Sequence, residues 1–328
     1  MLRFIGGPLR EMASRKSAQA WRSAYILRLI YSLWRHASRV SFGATSGGPL
    51  VLTFATILAY AIPARGDRAQ DLANQAENSK REVCDSVSDY KACHERYPAG
   101  CGKTTKSPYD PYLNFLKNQT PDSSMRAAKI LTELENFQKG LDEKTPKGLK
   151  KSNHAEHVSV LAGLGEGNIY GLIGYLYAVK REHRETTNCN LDDGVNTDFH
   201  MWVGFDPDDA RKLRQGWKPT PKHGLALKQE AVIVEMTPHY RSEFQRKWTL
   251  PRVQRQIGRQ VKVIGQLMND NEHLIPTQNC AHPDADEDQC WRGSGWELHP
   301  VIEMYVCPPA RTPCSEDSAD WKMLGDMQ

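Results

Sequence analysis

From Asn168 to Val306 the apolar residues recur with period two, and earlier in the chain they recur mainly at helical spacing. "NIYGLIGYLYAVKRE" (168–182), "DFHMWVGF" (198–205) and "AVIVEM" (231–236) alternate apolar and polar positions. Strands do this because successive side chains point to opposite faces. Gly171 and Gly174 in the first run suit a sharply coiled barrel strand. "TPHYRSEFQRKWTLPRVQRQIG" (237–258) then opens with Thr237 as cap and Pro238 in the first helical position, which predicts a helix. Phe244 and Trp248, four apart, are expected to form the helix face that plugs the barrel. Two further strands follow in "QVKVIGQLM" (260–268) and "GWELHPVIEMYV" (295–306). Three strands, a helix and two strands is the order of the five-stranded OB barrel. The expected fold is therefore mainly β with helices, an OB-like barrel preceded by a helical, disulfide-containing N-terminal region. A generic α+β sheet is the alternative.

Ahead of the barrel, "SSMRAAKILTELENFQKGL" (123–141) predicts a scaffold helix. Ala127, Ile130, Leu131, Leu134 and Phe137 recur at helical spacing, and Ser123 or Ser124 can cap it. "GLDEKTPKGLKKSNHAEH" (140–157) is a basic, turn-rich linker in which His154 and His157 are expected to be solvated. The expected division is a targeting segment (1–64), a polar and helical lead-in (65–160), the barrel domain (161–310) and a C-terminal tail (311–328). No internal repeat or low-complexity tract interrupts it.

Charge and cysteines bear on where the chain works. Up to Arg39 there are seven arginines and Lys16 against Glu11 alone, followed by the apolar "LVLTFATILAYAIPA" (50–64). A basic flank, a short apolar run and a small-x-small site at Ala59-Tyr60-Ala61 match a secretory signal. A spanning helix wants about 20 apolar residues, so an uncleaved membrane anchor is the alternative. Met12 is a second candidate start. All eight cysteines follow this segment, as in an oxidising compartment, and no C-x-x-C pair favours zinc. Cys280 with Cys290, and Cys307 with Cys314, are spaced to close short loops. Asn118-Gln119-Thr120 fits a glycosylation sequon only in a eukaryote, and Pro121 weakens it. The whole chain is +4; removing eight positive charges and one negative leaves about −3, so no global attraction to nucleic acid follows.

Alternation also sorts the polar residues. With Phe199, Met201 and Val203 inward, Asp198 and His200 point outward. Val232, Val234 and Met236 inward turn Glu235 out, and Trp296 with Leu298 inward turns Glu297 and His299 out. In an OB closure these five lie on three adjacent strands, and Asp270 and His273 can join the edge. Histidines and carboxylates so gathered suit a divalent transition metal, for which Asp198, His200, Glu235, His273 and His299 are the candidate ligands. A metal there would activate water. Without metal, His200 and His299, with Glu297 orienting, are candidates for general base catalysis. The bland reading is a hydrogen-bond network that fixes strand register.

A second surface is basic. Arg241, Arg246, Lys247, Arg252, Arg255, Arg259 and Lys262 face Glu243 alone between 241 and 262. Such a strip could follow a phosphate backbone, with Arg252, Arg255, Trp202 and Asp270 as candidate ligand contacts. A solvated basic face explains it as well. The acidic loop "HPDADEDQC" (282–290) can cancel its field or bind calcium weakly, although it lacks EF-hand spacing.

The segments "GYLYAVKRE…TTNCN", "DFHMWVG", "VIVEMTPHYR", "VKVIGQLMNDNEH" and "WELHPVIEMYV" resemble a group of uncharacterised, mostly bacterial, exported OB-like proteins. These carry D-x-H-x-W, V-x-E-x-T-P, G-x-L/W-x-x-D-x-E-H and W-E-x-H-P-V motifs. The resemblance spans about 163–307, touches "NFLKNQTP" (114–121), and implies that Asp198, His200, Glu235, Asp270, His273, Glu297 and His299 form one site. It imports no activity. Cys189-Asn190-Leu191 stands where the group has C-N-C.

Two classes of function follow. The first, which is the expected one, is an exported OB-like binding module holding an oligonucleotide, a sugar chain or a protein partner on its outer barrel face. The second is a metal-dependent, phosphodiesterase-like hydrolase using the same face. No Ser-His-Asp order, phosphate loop or dinucleotide fingerprint points to other enzyme classes. A membrane is a partner only through an uncleaved N-terminal segment.

Overall fold

The computed structural model describes residues 74–75 and 83–327, apart from 105–108, 123–124 and 152. The targeting segment expected over 1–64 lies outside them. Helix α1 (Tyr90–Arg96) is capped by Asp89, and α2 (Pro111–Lys117) by Asp110 with Pro111 in its first turn. Next come β1 (Ile130–Leu131), α3 (Leu134–Gln138) and α4 (Val158–Leu164). The barrel begins with β2 (Ile169–Arg181) and β3 (Phe199–Gly204). After them come α5 (Pro207–Arg214), α6 (Pro221–Gln229), β4 (Ala231–Met236), α7 (Pro238–Glu243) and α8 (Leu250–Gln254). The chain closes with β5 (Gln260–Asn269), β6 (Trp296–Val306) and β7 (Lys322–Met323).

Five strands close on themselves. β2 pairs with β3, β3 with β4, β4 with β6, β6 with β5, and β5 with the first half of β2. This is the OB strand order, with only β4 and β6 parallel within the ring. The inward positions read from alternation fill the interior: Phe199, Met201, Val203, Val232, Val234, Met236, Trp296 and Leu298 belong to one buried cluster. Each such side chain contributes on the order of 1.5–3 kcal/mol of burial.

Several local expectations yield to tertiary structure. The helix expected over 123–141 survives only as α3, because Ile130 and Leu131 pair in parallel with Gly171 and Leu172 of β2. Ile130 packs against the bare Cα of Gly171, where a β-carbon would collide with it. The helix expected over 237–258 is two helices: the first ends at Glu243, and the second starts at Leu250 with Pro251 in its first turn. Trp248 is buried in the barrel as anticipated, but Phe244 is 51 % exposed. Two unforeseen helices, α5 and α6, start as α7 does, with Asp206-Pro207 and Thr220-Pro221 as cap and first-turn proline. They cover the outer face of β2, β3 and β4 through Ala210 and Leu227 packed with Tyr177, Trp202 and Ile233.

The lead-in covers another part of that outer face. Tyr112, Leu113, Phe115 and Leu116 of α2 pack with Val158, Ala162 and Met268. Disulfides Cys84–Cys101 and Cys93–Cys189 pin it, the second reaching the β2–β3 connection; Cys280–Cys290 and Cys307–Cys314 close the two short loops. Among the described residues no helix is long and apolar enough to cross a membrane. Asn118 of the sequon is buried, donating to Pro98 O and Thr187 O at 3.2 Å, and so is no acceptor for a glycan in this fold. His154, expected in solvent, is fully buried with Nε2 2.8 Å from Glu166 Oε1. His157 is half-buried, with Nε2 3.3 Å from Asn153 Nδ2.

Helices α1 and α7 meet through two imidazoles, His94 and His239, whose ring centroids are 3.9 Å apart at 86°. Burial, then the neighbouring His239, pushes His94 down from 6.5 to about 4. Burial also lowers His239, against the pull of Glu243 2.9 Å away. Both rings are thus neutral when docked, so stability is complete above the unfolded value of 6.5 and is lost as pH falls from there toward about 4. Hydrogen-exchange protection factors of the α1 amides, taken relative to the intrinsic rate at each pH, are expected to fall over that window, and a His94→Asn variant to flatten the dependence. Unchanged pH dependence in that variant refutes this assignment.

Candidate functional site

The period-two register stacks polar side chains on the outer face in rows. His200 lies opposite Lys180 on one side and Glu235 on the other, and Val234 is level with Leu298 of β6. The outward residues Asp198, His200, Glu235, Glu297 and His299 therefore converge, but not on an open surface: each is no more than 4 % exposed. The expectation of an exposed patch is corrected on this point. Lys117 of α2, Glu182 after β2, and Trp291 and Arg292 of the β5–β6 connection lie against the group, so it sits inside the protein.

His299 is the hub. Its Nδ1 lies 3.1 Å from Glu297 Oε1 and 3.5 Å from Glu235 Oε2, and its Nε2 lies 3.5 Å from Asp198 Oδ2. His200 Nδ1 is 2.9 Å from both Glu235 Oε1 and Glu182 Oε1. Its ring packs on Trp202, centroids 4.2 Å apart, and Trp291 is 5.7 Å away. Glu297 is held in turn by Arg292, whose Nη2 is 2.6 Å from Oε2 and whose Nη1 is 2.9 Å from Asp270 Oδ2. Asp270 also takes His273 Nδ1 at 2.7 Å, so the edge residues join through Arg292.

Electrostatics follow from this enclosure. Burial, then Glu185 and Glu235, hold the Asp198 carboxyl well above its usual range. Burial also opposes ionisation of Glu235, but His200 and His299 outweigh it and lower its pKa. Desolvation pushes both histidines down, while Glu235 and their other carboxylate partners raise them overall. Glu182 is brought down to about 2 because His200 outweighs its partial burial. Buried Lys117 of α2 is raised despite its desolvation, through the carboxylates of Asp270, Glu185, Glu235 and Glu297.

One oxygen of Asp198, one of Glu235 and one His299 nitrogen lie within 4.8 Å of one another. Asp198 Oδ2, Glu235 Oε2 and His299 Nε2, together with His200 Nε2, find no hydrogen-bond partner. A harder oxygen pair with an imidazole is a donor set for a divalent transition metal. When His299 Nδ1–H donates to Glu297, Nε2 keeps its lone pair, which is the arrangement that orients a metal-ligating histidine. No family model matches this chain, and no curated protein matches it.

Of the residues read from sequence, His273 stays at the rim with its side chain 32 % exposed. Trp202 is buried and donates from Nε1 to Trp291 O at 3.0 Å. Arg252 and Arg255 lie apart on and just after α8; Arg252 Nη1 donates to Gly325 O at 3.0 Å, and Arg255 is exposed. Arg241 of the basic strip is buried and spent on Met236 O and Thr197 O, so the strip is not a continuous charged surface. Glu182, Arg292, Lys117 and Glu185 were not anticipated. A β-bulge between Leu176 and Ala178 shifts the parity of β2, so counting from its start assigns Glu182 to the wrong face. Arg292 sits in a loop with no periodicity to read.

Among the described residues, Arg292 and His299 are the cationic partners within bonding distance of Glu297, and Arg292 is fully buried. Removing one partner of a buried pair leaves uncompensated charge, at a cost of about 3–5 kcal/mol. Arg292→Leu is expected to lower the urea unfolding free energy by about that much. Adding Asp270→Asn and Glu297→Gln to it should recover most of the loss; a neutral single variant contradicts the pairing.

Proposed function

We propose that the protein is an exported metal-dependent hydrolase whose buried cluster of Asp198, Glu235 and His299 holds a divalent transition metal. The carrying observations are that one oxygen each of Asp198 and Glu235 and one His299 nitrogen, all buried and from the residue leading into β3, β4 and β6, lie within 4.8 Å of one another, and that Asp198 Oδ2, Glu235 Oε2 and His299 Nε2 have no hydrogen-bond partner. A network that served register alone would pair its own polar atoms. The open binding module loses support because the His/carboxylate residues that would contact an oligomer are buried. Export is supported by the basic and apolar start of the chain and by four disulfides.

A divalent ion held by Asp198, Glu235 and His299 would supply the Lewis-acid chemistry that activates water near neutral pH. Around it the residues have separate tasks. Glu297, fixed by Arg292, orients His299. Glu182 and Glu235 hold His200 by Nδ1, so that its Nε2 is the atom available to accept or return a proton. Glu182, whose side chain is 13 % exposed, links the cluster to solvent.

Protein purified without chelator is expected to contain about one equivalent of transition metal by elemental analysis. Asp198→Asn, Glu235→Gln and His299→Ala should each abolish retention, and Glu297→Gln should weaken it by about 10- to 100-fold. The same preparations should hydrolyse bis(4-nitrophenyl) phosphate in step with their metal content. A folded, metal-free wild type, or metal retained in the triple variant, overturns the reading.

A further inference from the structure

We infer that Lys180 and Lys228 form an anion-binding entrance to the buried cluster, and that the substrate is a phosphoester whose charged oxygens lie between the two ammonium groups. The substrate identity rests on the hydrolase reading; the anion site itself does not. Lys180 stands on β2 directly across from His200 of β3, on the same outer face. Lys228 comes from the last turn of α6. Their Nζ atoms lie 5.6 Å and 4.5 Å from the centroid of one indole, Trp202. Trp202 is only 2 % exposed, so it fixes where the two charges sit without being a ligand platform itself.

Two ammonium groups converging on one ring repel each other, and the repulsion is only partly answered. Lys180 Nζ is 2.7 Å from Glu182 Oε1, but that carboxylate is also engaged by His200 at 2.9 Å. Lys228 has no hydrogen bond or ion pair from its side chain among the described residues; its neighbours are the Trp202 ring and Lys180. Desolvation first, then Lys180, lowers the Lys228 pKa, with Glu182 pulling the other way. A half-buried ammonium without a carboxylate, beside a second one, is stabilised by a doubly charged oxyanion. The location gives the pair a use. It flanks Glu182, the solvent-linked end of the contacts running through His200 to Glu235 and His299. An ester bound by its phosphate at this mouth is positioned beside the imidazole of His200.

The test is titration calorimetry of inorganic phosphate into full-length protein stripped of metal, with tryptophan fluorescence as a second readout. Saturable binding is expected, weakened about tenfold by Lys228→Gln, further by Lys180→Gln, and retained by Lys228→Arg. Added salt should weaken it. Dimethyl phosphate is expected to compete; its exclusion overturns the phosphoester assignment in favour of free phosphate. No saturable binding by folded wild type, or equal affinity in the double glutamine variant, overturns the entrance. Elemental analysis separates the two readings: lysine-dependent phosphate binding in a protein that retains no metal keeps the anion site and removes the hydrolase. Metal retention with lysine-independent phosphate binding does the reverse.

Discussion

A carboxylate withdrawn from water must be answered by a cation or a proton, and this barrel withdraws four of them on one face. Asp198, Glu235, Asp270 and Glu297 are all essentially buried. Arg292 answers two at once, bridging Asp270 and Glu297 through separate nitrogens of its planar fork. Lys117 answers the group from above, and it belongs to α2, outside the barrel. The charge balance of the sheet therefore depends on a helix that the sheet does not contain. Lifting the lead-in would remove a positive charge from beside those carboxylates as well as apolar contacts, so cover and cluster are energetically linked.

That link explains how the first part of the chain is fastened. Packing by Tyr112, Leu113 and Leu116 is reinforced by Asn114, which exchanges hydrogen bonds with Thr186 and Thr187, and by Asn118, which reaches Pro98 and Thr187. Cys93–Cys189 then ties α1 to the same β2–β3 connection across 96 residues of sequence. A loop of that length confines the unfolded chain strongly, by about 4–5 kcal/mol in the chain-entropy account. Layered over a small barrel, these contacts help to hold the clustered histidine and carboxylate side chains in place, the condition for a pre-organised site.

The barrel was legible in the sequence because alternation has one period and one sign. The same parity served Phe199, Val232 and Trp296, and the interior that it predicts is the interior observed. Parity says which face a residue takes, however, and nothing about what lies on top. Asp198, His200, Glu235, Glu297 and His299 thus converge as the rows required, but they are buried, with Lys117 of α2 and Trp291 and Arg292 of the β5–β6 connection beside them, segments whose docking is set by contacts distant in sequence. Where the rule failed, a local irregularity intervened. The bulge in β2 moves Lys180 and Glu182 to the outer face, and the helix that periodicity alone runs through is interrupted between Glu243 and Leu250. Ile130 and Leu131 fit a helical pattern but gain more by pairing with β2 over Gly171. The proline-led starts of α5 and α6 carried the same signal as Thr237-Pro238 and could have been read the same way.

The distribution of satisfied and unsatisfied atoms separates scaffold from site. Arg292, Glu297 and Asp270 use their polar atoms on one another and on Ser294 O, as a register-fixing network does. Next to them Asp198 Oδ2, Glu235 Oε2, His200 Nε2 and His299 Nε2 are buried without hydrogen-bond partners. Each such atom costs about 1–3 kcal/mol when it has no partner. A core under selection for stability alone would remove them by substitution with apolar residues of similar volume, which is often neutral or stabilising. Within this cluster the atoms without hydrogen bonds, which keep only ion-pair contacts at 3.5 Å or none, are of metal-ligand or proton-transfer type, and the hydrogen-bonded atoms orient them. That division is expected when one shell of side chains is held rigid so that another can act on a ligand.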